Sequence, residues 1–175
     1  MLELLVETRA SLLNYVWLSQ NPGNIKYLAM EIKLKLIDQY KQYLYSCAVN
    51  SSKGCYYIMY KPLLILEPYV LILPYCIRIW LTRLRTSNHR LPIETGRQQN
   101  IPRDLRVCTL CNETICDEYH FLLVCKHLSQ LRKSFLPNYY CNNPTIHKCI
   151  CLMNCNYTPL LIKIAKFVKQ GLLLF

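Results

Sequence analysis

Three cysteines and one histidine in the middle of the chain have the types and the spacing of metal ligands. Cys108 and Cys111 form a C-x-x-C pair, eight residues separate Cys111 from His120, and four residues separate His120 from Cys125. Three thiolates and one imidazole make a tetrahedral set that suits a structural Zn²⁺ ion. Such a set leaves no open position for water, so we expect this site to hold a fold together and not to catalyse hydrolysis.

The spacing of His120 and Cys125 raises a geometric problem for this ligand set. Five residues of a straight α-helix turn through about 500°, which leaves the two side chains about 140° apart. Either the helix begins late, or His120 reaches back from the first turn. Spacing alone also leaves Cys116 and His127 open as substitute ligands.

A second group of cysteines and a histidine follows nearer the C-terminus. Its members are Cys141, His147, Cys149, Cys151 and Cys155. Their spacings match no established zinc framework, although a C-x-C pair can bind a metal. Alternation along a short strand explains that pair equally well, so a second metal site is the less favoured interpretation.

Arginines are concentrated next to the first group. Arg83, Arg85 and Arg90 lie within eight residues of one another, and Arg97, Arg103 and Arg106 follow. Arginine presents the donor fork that phosphate prefers, so these residues are candidates for a nucleic-acid surface. The competing interpretation is an internal ion pair of Arg83 or Arg97 with Glu94, Asp104 or Glu118. We also expect Arg103 and Arg106 to offset the net negative charge of a site with three thiolates.

Composition narrows the class of protein. The chain has 175 residues, of which 53% are hydrophobic, and a formal net charge of +11. This favours one or two folded domains and a polyanionic partner. The 11 cysteines are an odd number, and two acids lie among the first seven residues, where a secretory signal needs positive charge. We therefore expect reduced thiols and an intracellular protein, in the nucleus or the cytoplasm.

The elements that must position these residues are mostly helical. Apolar residues recur at helical spacing over residues 1–18, 25–46 and 159–173, and over the end of residues 69–85. Turn residues occupy 21–24 and 50–54, and residues 86–102 have the pattern of a loop. Asp117 is a plausible N-cap, with His120 at the third helical position. The apolar spacing from Phe121 to Phe135 then gives the clearest helix prediction in the chain.

Residues 63–80 are almost entirely apolar and resemble a membrane span. However, they contain Glu67, Pro68, Pro74 and Arg78. A charge at the bilayer centre costs about 2.5–3.5 kcal/mol, and two prolines would break the helix. A buried extended segment followed by a core helix is the better prediction, and membrane association through this segment is the least favoured function.

Signals of catalysis are weak. The three aspartates are isolated from one another, the chain has only four glycines, and it contains neither a glycine-rich phosphate loop nor a G-x-S-x-G motif. We predict that the protein is not an enzyme and has no small-molecule substrate.

Four segments carry a resemblance to a known family: Leu81–Arg97, Asn100–Arg103, Arg106–Cys108 and Asp117–Cys125. They resemble the region downstream of the polymerase in the reverse transcriptases of animal non-LTR retrotransposons. The resemblance is specific over about residues 78–136 and looser at Asp38–Tyr40 and Ile164–Phe167. The chain lacks the Tyr-x-Asp-Asp type of motif that holds catalytic magnesium in such polymerases, and it has no endonuclease domain.

The resemblance implies a truncated piece of a mobile element that binds RNA or DNA. It assigns zinc to Cys108, Cys111, His120 and Cys125. The candidate contacts to RNA or target DNA that it implies are Arg83, Arg85, Arg97 and Arg103.

Taken together, the residues and the resemblance predict a mainly α protein with a small CCHC zinc knuckle and a short β-ribbon at residues 105–115. We divide it into a helical part (1–77), an arginine-rich and zinc-binding segment (78–136) and a helical tail (137–175). The predicted function is a non-catalytic, zinc-stabilised nucleic-acid-binding fragment. The alternative is a protein-interaction or scaffold fragment with a purely structural zinc.

Overall fold

Helices form most of the structure, a computed structural model that describes residues 25–51, 53, 56–61 and 66–175. The chain divides into two compact units, one ending at Cys47 and the other running from Ala48 to Phe175. The α-helices of the described residues are α1 (Ile25–Asn50), α2 (Tyr57–Tyr60), α3 (Pro68–Ile72), α4 (Tyr75–Arg85), α5 (Pro92–Gln98), α6 (Ser129–Phe135), α7 (Asn138–Cys141), α8 (Ile146–Met153) and α9 (Thr158–Leu172).

Two shorter turns complete the secondary structure. Arg103–Leu105 is a 3-10 turn, and His120–Val124 is a π-helical turn, called the π-turn below. Within the described residues there is no strand: Val107 and Ile115 form a single antiparallel bridge where we predicted a short ribbon. The mainly helical class is confirmed.

Two long predicted helices are confirmed. The helix predicted over residues 25–46 is α1, which continues to Asn50. The last predicted helix is α9, with Ile164, Phe167 and Val168 buried and its lysines exposed. The helix predicted over residues 1–18 and the turn at 21–24 lie outside the described residues.

Proline divides the segment over residues 69–85. A helix ends at Ile72, Leu73 is extended, and Pro74 precedes the next helix, α4. The divided geometry follows from proline, which disfavours a helical conformation in the residue before it. Leu81 and Leu84 are fully buried, as the α4 pattern predicts.

The loop predicted over residues 86–102 was wrong in its centre, where α5 lies. Pro92 occupies the first turn of α5, a position where proline is favoured because its missing N–H is not needed there. Glu94 and Arg97 then form an ion pair one turn apart, at 2.8 Å between Glu94 Oε2 and Arg97 Nη2. Pro92 therefore begins a helix here, although proline and glycine are the usual signals of a loop.

The continuous helix predicted from Asp117 to Phe135 was also wrong. Cys125 has an extended conformation after the π-turn, and α6 begins only at Ser129. The predicted N-cap is confirmed, since Asp117 Oδ1 accepts a 2.8 Å hydrogen bond from the His120 N–H. The break at Cys125 is part of the site described below.

The core of the second unit lies around α9. This helix packs along α4 and against α6. The Phe167 ring on α9 lies 5.5 Å from the ring of Phe121 in the π-turn, centroid to centroid. A Cβ at Gly171 would come within 2.8 Å of the Phe121 ring, so this glycine allows the close approach of α9 to the π-turn.

The buried extended segment predicted within residues 63–80 is wrong at Pro68–Ile72, which form α3 and leave Leu71 and Ile72 exposed. The helix expected after it is α4, which begins at Tyr75. Among the helices that the structure describes, none combines the length and the apolar content that crossing a bilayer requires.

Candidate metal centre

The first pair of cysteines lies on a tight turn. The Asn112 N–H donates to the Cys108 carbonyl at 2.8 Å, and Asn112 has a φ of 55°, which asparagine tolerates better than most residues. The Cys108 N–H donates in turn to the Thr114 carbonyl at 2.9 Å. The backbone therefore folds back on itself between Cys108 and Thr114, which brings Cys108 and Cys111 together.

The second pair of residues lies at the two ends of the π-turn. The Cys125 N–H donates to the His120 carbonyl at 2.8 Å, an i→i+5 hydrogen bond. This bond stacks residue i+5 above residue i, whereas an α-helix would place the two about 140° apart. The π-turn thus solves the geometric problem that the sequence raised, by a route that differs from both expected ones.

The four ligand atoms converge on one point. Those of Cys108, Cys111, His120 and Cys125 all lie within 4.8 Å of one another. The Cys108 and Cys125 sulfurs are 3.9 Å apart, and Cys111 Sγ is 3.4 Å from His120 Nε2. Tetrahedral zinc with bonds of about 2.3 Å to sulfur and about 2.0–2.1 Å to nitrogen requires separations of about 3.8 and 3.5 Å. The four residues therefore fit a small tetrahedral cation.

Backbone amides are directed at two of the sulfurs. Burial opposes ionisation of Cys108, but hydrogen bonds from the Cys111 and Leu110 N–H groups outweigh it and lower the pKa of the thiol. The His127 and Leu128 N–H groups act in the same sense on Cys125. In both cases the stabilising amides lie two and three residues after the cysteine. At Cys125 the helix ends, which allows these amide groups to point at the sulfur.

Burial controls the protonation of the other groups. It raises the pKa of Cys125 to about 11, so this thiol keeps its proton at neutral pH until a cation displaces it. Burial lowers the pKa of His120, which favours the neutral imidazole that binds metals.

Two residues hold His120 in place. With Nε2 facing the cysteines, Nδ1 carries the proton and donates to Thr114 Oγ1 at 2.8 Å. Asp117 holds the backbone N–H of His120, as described above. The sequence predicted the role of Asp117 but not that of Thr114, which carries no recognisable motif.

A buried arginine supports the π-turn from behind. Arg132 is 4% exposed and donates to the carbonyls of Leu122 at 2.6 Å and Cys125 at 3.0 Å. Those carbonyls have no helical partner because the helix ends at Cys125. Arg132 is therefore the cation in contact with the backbone of the site. Arg106, expected to offset its charge, donates instead to the carbonyls of Ile93 and Ile101, and Arg103 is exposed.

The substitute ligands and the second group take other places. Cys116 is buried beside Cys108, and burial raises the pKa of its thiol well above the usual range; His127 is exposed. Neither belongs to the convergent set. Among the described residues, the group from Cys141 to Cys155 yields no second convergence of three ligands, although His147 Nδ1 lies 3.7 Å from Cys151 Sγ. The ten described cysteines are free thiols.

Arg85, expected at a nucleic-acid surface, lies in the interior. It is 2% exposed, its Nη1 donates to Glu67 Oε2 at 2.9 Å, and its Nη2 donates to the Met153 carbonyl. Its guanidinium also lies over the Tyr69 ring, 4.5 Å from the centroid. These contacts connect α4 to α3 and α8, so Arg85 has a structural role. The prediction that Arg85 lies on a nucleic-acid surface is wrong.

The remaining expected arginines line two cavities, each of which also includes residues of α5. Arg97 and Arg103 line a cavity of about 560 Å³ together with Arg106, Glu94 and Glu118. Arg83 and Arg90 line another of about 480 Å³, with Trp80 and Gln98. We call them the Arg103 cavity and the Trp80 cavity. For Arg97 the competing interpretation, an internal pairing with Glu94, is confirmed.

The Arg103 cavity is joined to the metal centre through the backbone. The Cys116 N–H donates to the Arg106 carbonyl at 2.9 Å, and the Ile93 N–H donates to the Cys116 carbonyl at 3.2 Å. The segment that carries Cys108 is thereby held against α5.

Comparison of the chain with protein-family models, with curated proteins and with solved structures finds no match.

Proposed function

We propose that this protein is a non-catalytic nucleic-acid-binding module stabilised by one Zn²⁺ ion. Zinc is favoured because three thiolates and one imidazole form a soft, closed, tetrahedral set. The Cys108–Cys111 turn and the π-turn would together form a CCHC zinc knuckle. Zinc would supply cross-linking of the turn to the π-turn, and the protein's own arginines would supply the contacts to the ligand.

The distribution of arginines carries this proposal. Five arginines line two cavities to which α5 contributes residues: Arg83, Arg90, Arg97, Arg103 and Arg106. One of the two, the Arg103 cavity, is joined by backbone hydrogen bonds to the segment that carries Cys108. Guanidinium groups clustered in this way suit a phosphate backbone. Arg97 and Arg106 each use two N–H donors internally, which leaves three of the five donors of each guanidinium for phosphate.

The link between zinc and arginine gives the metal a role in binding. Arg106 lies two residues before Cys108, and Cys116 holds its carbonyl. Removal of the metal would release the Cys108–Cys111 turn and with it Arg106, so we expect nucleic-acid affinity to depend on metal loading.

A salt series on the metal-loaded protein tests the proposal. We expect the logarithm of the association constant for a single-stranded oligonucleotide to fall linearly with the logarithm of salt concentration, by about 0.7 per phosphate contact. Arg103→Gln should reduce the slope by about one contact. The control is Lys133→Gln, which removes an equal charge at an exposed site that lines neither cavity. An affinity independent of salt would overturn the proposal.

The resemblance to the zinc-binding region of non-LTR retrotransposon reverse transcriptases supports the same function. Its motif residues include Arg83, Arg97 and Arg103, and all three line the cavities. We propose this origin for the chain. A polymerase-coding reading frame directly upstream in the genome would support it, and an unrelated upstream sequence would count against it.

A second candidate is a protein-interaction fragment with a purely structural metal. It is favoured by α1, where Tyr27, Met30, Leu34 and Tyr40 are more than half exposed. If the metal-loaded protein fails to bind RNA or DNA at low salt, this candidate replaces the first.

A further inference from the structure

We propose that the Trp80 cavity binds one unpaired nucleotide, with the base stacked at Trp80 and the phosphate held by Arg83 and Arg90. This inference rests on the proposed nucleic-acid binding and names its point of contact with a base. Residue types and spacing alone do not select a stacking residue among the many aromatic side chains of the chain.

The walls of the cavity have two different characters. Trp80, Leu172 and Leu173 form an apolar part, and Leu173 is 66% exposed. Polar residues contribute the rest of the lining: Arg83, Asn88, His89, Arg90, Thr95 and Gln98. A volume of about 480 Å³ lies in the range of about 300–1,000 Å³ typical of small-ligand sites. The combination of an indole and two leucines with amide and guanidinium donors suits a base with its phosphate.

Charge distinguishes this cavity from its neighbour. The Arg103 cavity includes the carboxylates of Glu94 and Glu118 among its lining residues, so its positive charge is partly offset. The Trp80 cavity has two arginines and no acidic residue in its lining. A phosphate therefore meets less repulsion in the Trp80 cavity.

The aromatic residue is already in contact with a cation. The Arg83 guanidinium lies 5.3 Å from the centroid of the half-buried Trp80 ring. Unpaired bases stack on aromatic side chains and on guanidinium planes, and each stacked base contributes about 1–3 kcal/mol. A base that enters the cavity meets both kinds of surface.

The loop after α4 holds the polar groups of the cavity in a defined conformation. The Asn88 N–H donates to the Arg83 carbonyl at 2.7 Å, and the Ser87 N–H donates to the Leu84 carbonyl at 3.2 Å. These two bonds and the φ of 50° at Ser87 make a Schellman motif, in which glycine is the usual residue.

Glu118 stabilises the same loop. Its Oε1 accepts hydrogen bonds from Ser87 Oγ at 2.5 Å and from His89 Nε2 at 3.1 Å. His89 Nδ1 accepts the Leu91 N–H, so a neutral imidazole satisfies both contacts. Asn88 and Arg90 thus extend from a loop anchored on both sides, which lowers the entropic cost of binding a ligand.

Tryptophan fluorescence tests the inference directly. The chain has two tryptophans, so Trp17→Phe leaves Trp80 as the only tryptophan, whose emission is excited selectively over that of the tyrosines. Metal-loaded W17F protein is titrated with oligo(dT), with an abasic oligomer of equal length and charge, with duplex DNA and with dTMP. Affinity is measured in parallel by anisotropy of labelled oligomers. We expect oligo(dT) to quench Trp80 and the abasic oligomer and the duplex to leave its emission unchanged. Quenching by dTMP at higher concentration would identify the single nucleotide as the unit bound.

A substitution provides the second arm. Trp80→Leu should weaken oligo(dT) binding by about 5- to 150-fold and leave abasic binding unchanged, while Trp80→Phe should retain most of the affinity. Unchanged abasic affinity also verifies that the variant is folded. Arg83→Gln and Arg90→Gln should weaken both oligomers, each more than Lys133→Gln.

The outcomes separate this inference from the function on which it rests. Salt-dependent binding by anisotropy with equal affinity for the abasic oligomer and no quenching of Trp80 would overturn the nucleotide site and leave the nucleic-acid function standing. Absence of binding to every oligomer would overturn both.

Discussion

The His120 carbonyl accepts a hydrogen bond from the Cys125 N–H at 2.8 Å, so the two residues stand one above the other across a π-turn. In an α-helix the same carbonyl would pair with residue 124, and the imidazole and the thiol would face different directions. The extra residue in this one turn is what lets the imidazole of His120 and the thiol of Cys125 converge on the same point. The site therefore depends on a local departure from regular helix geometry.

Replacing a ligand should remove the metal. In Cys108→Ser we expect the bound zinc to be lost or greatly weakened, together with a large fall in the melting temperature, because zinc binding supplies folding free energy. Metal content per chain and thermal unfolding measure both effects.

Cys116→Ser is the matched control for that substitution. Cys116 is as buried as Cys108 but lies outside the convergent set, so the variant should retain its zinc. Loss of zinc in Cys116→Ser and retention in Cys108→Ser would assign the ligand role to Cys116.

The hydrogen bond between Thr114 and His120 should tune metal affinity. Thr114→Val removes the acceptor for His120 Nδ1–H while preserving the shape of the side chain. Loss of such an outer partner typically costs about 10- to 100-fold in affinity. Competition with a chelator measures the change, and Thr109→Val, an exposed threonine in the same turn, should leave affinity unaltered. Equal effects of the two variants would refute the orienting role of Thr114.

Arg132 should be important for stability although it touches no ligand atom. Arg132→Met leaves the buried Leu122 and Cys125 carbonyls without a donor, at about 1–3 kcal/mol for each unsatisfied group. Denaturant unfolding measures the loss. Lys133→Met, its exposed neighbour, should change the free energy of unfolding by no more than about 0.5 kcal/mol. A small effect at Arg132 would mean that water satisfies those carbonyls.

Gly171 should not tolerate alanine. In most helix interiors Gly→Ala stabilises by about 1 kcal/mol, but here the new Cβ would lie 2.8 Å from the Phe121 ring. We expect a net destabilisation of about 1–3 kcal/mol from overpacking against the π-turn. Unfolding of the metal-loaded protein tests this, and an increase in stability would show that α9 packs differently.

Metal affinity should rise with pH through the neutral range. The Cys125 thiol, whose pKa burial raises to about 11, is protonated in the metal-free protein and ionised in the complex. Each proton displaced makes the affinity fall tenfold for every unit by which the pH drops below that pKa. Calorimetry in buffers of different ionisation enthalpy counts the protons released. Metal binding without proton release would contradict thiolate ligation by Cys125.

The candidate ligand set could be predicted from the sequence because a metal site is recognised by the types and the spacing of its residues. The C-x-x-C pair, the following histidine and Cys125 needed no three-dimensional information to be selected, and their ligand atoms lie together. Asp117 was also predictable, because an N-cap is a local interaction.

Other features depended on contacts between distant residues. Nothing in the local pattern distinguishes Arg85, paired with Glu67 and Met153, from Arg83 two residues earlier. The π-turn escaped prediction because the apolar spacing from Phe121 to Phe135 fits an unbroken α-helix. The helix is interrupted by the turn at Cys125, and Arg132 stabilises the interruption by donating to the Leu122 and Cys125 carbonyls. The spacing of apolar residues contains no signal for either feature.

The most direct test of the account is the metal content of the purified protein, measured by elemental analysis and by the visible spectrum after Co²⁺ substitution. We expect one zinc ion per chain and the absorption of tetrahedral cobalt bound to thiolates, and we expect Cys108→Ser to abolish both. Folded protein that contains no zinc and gives no thiolate–cobalt absorption would contradict it.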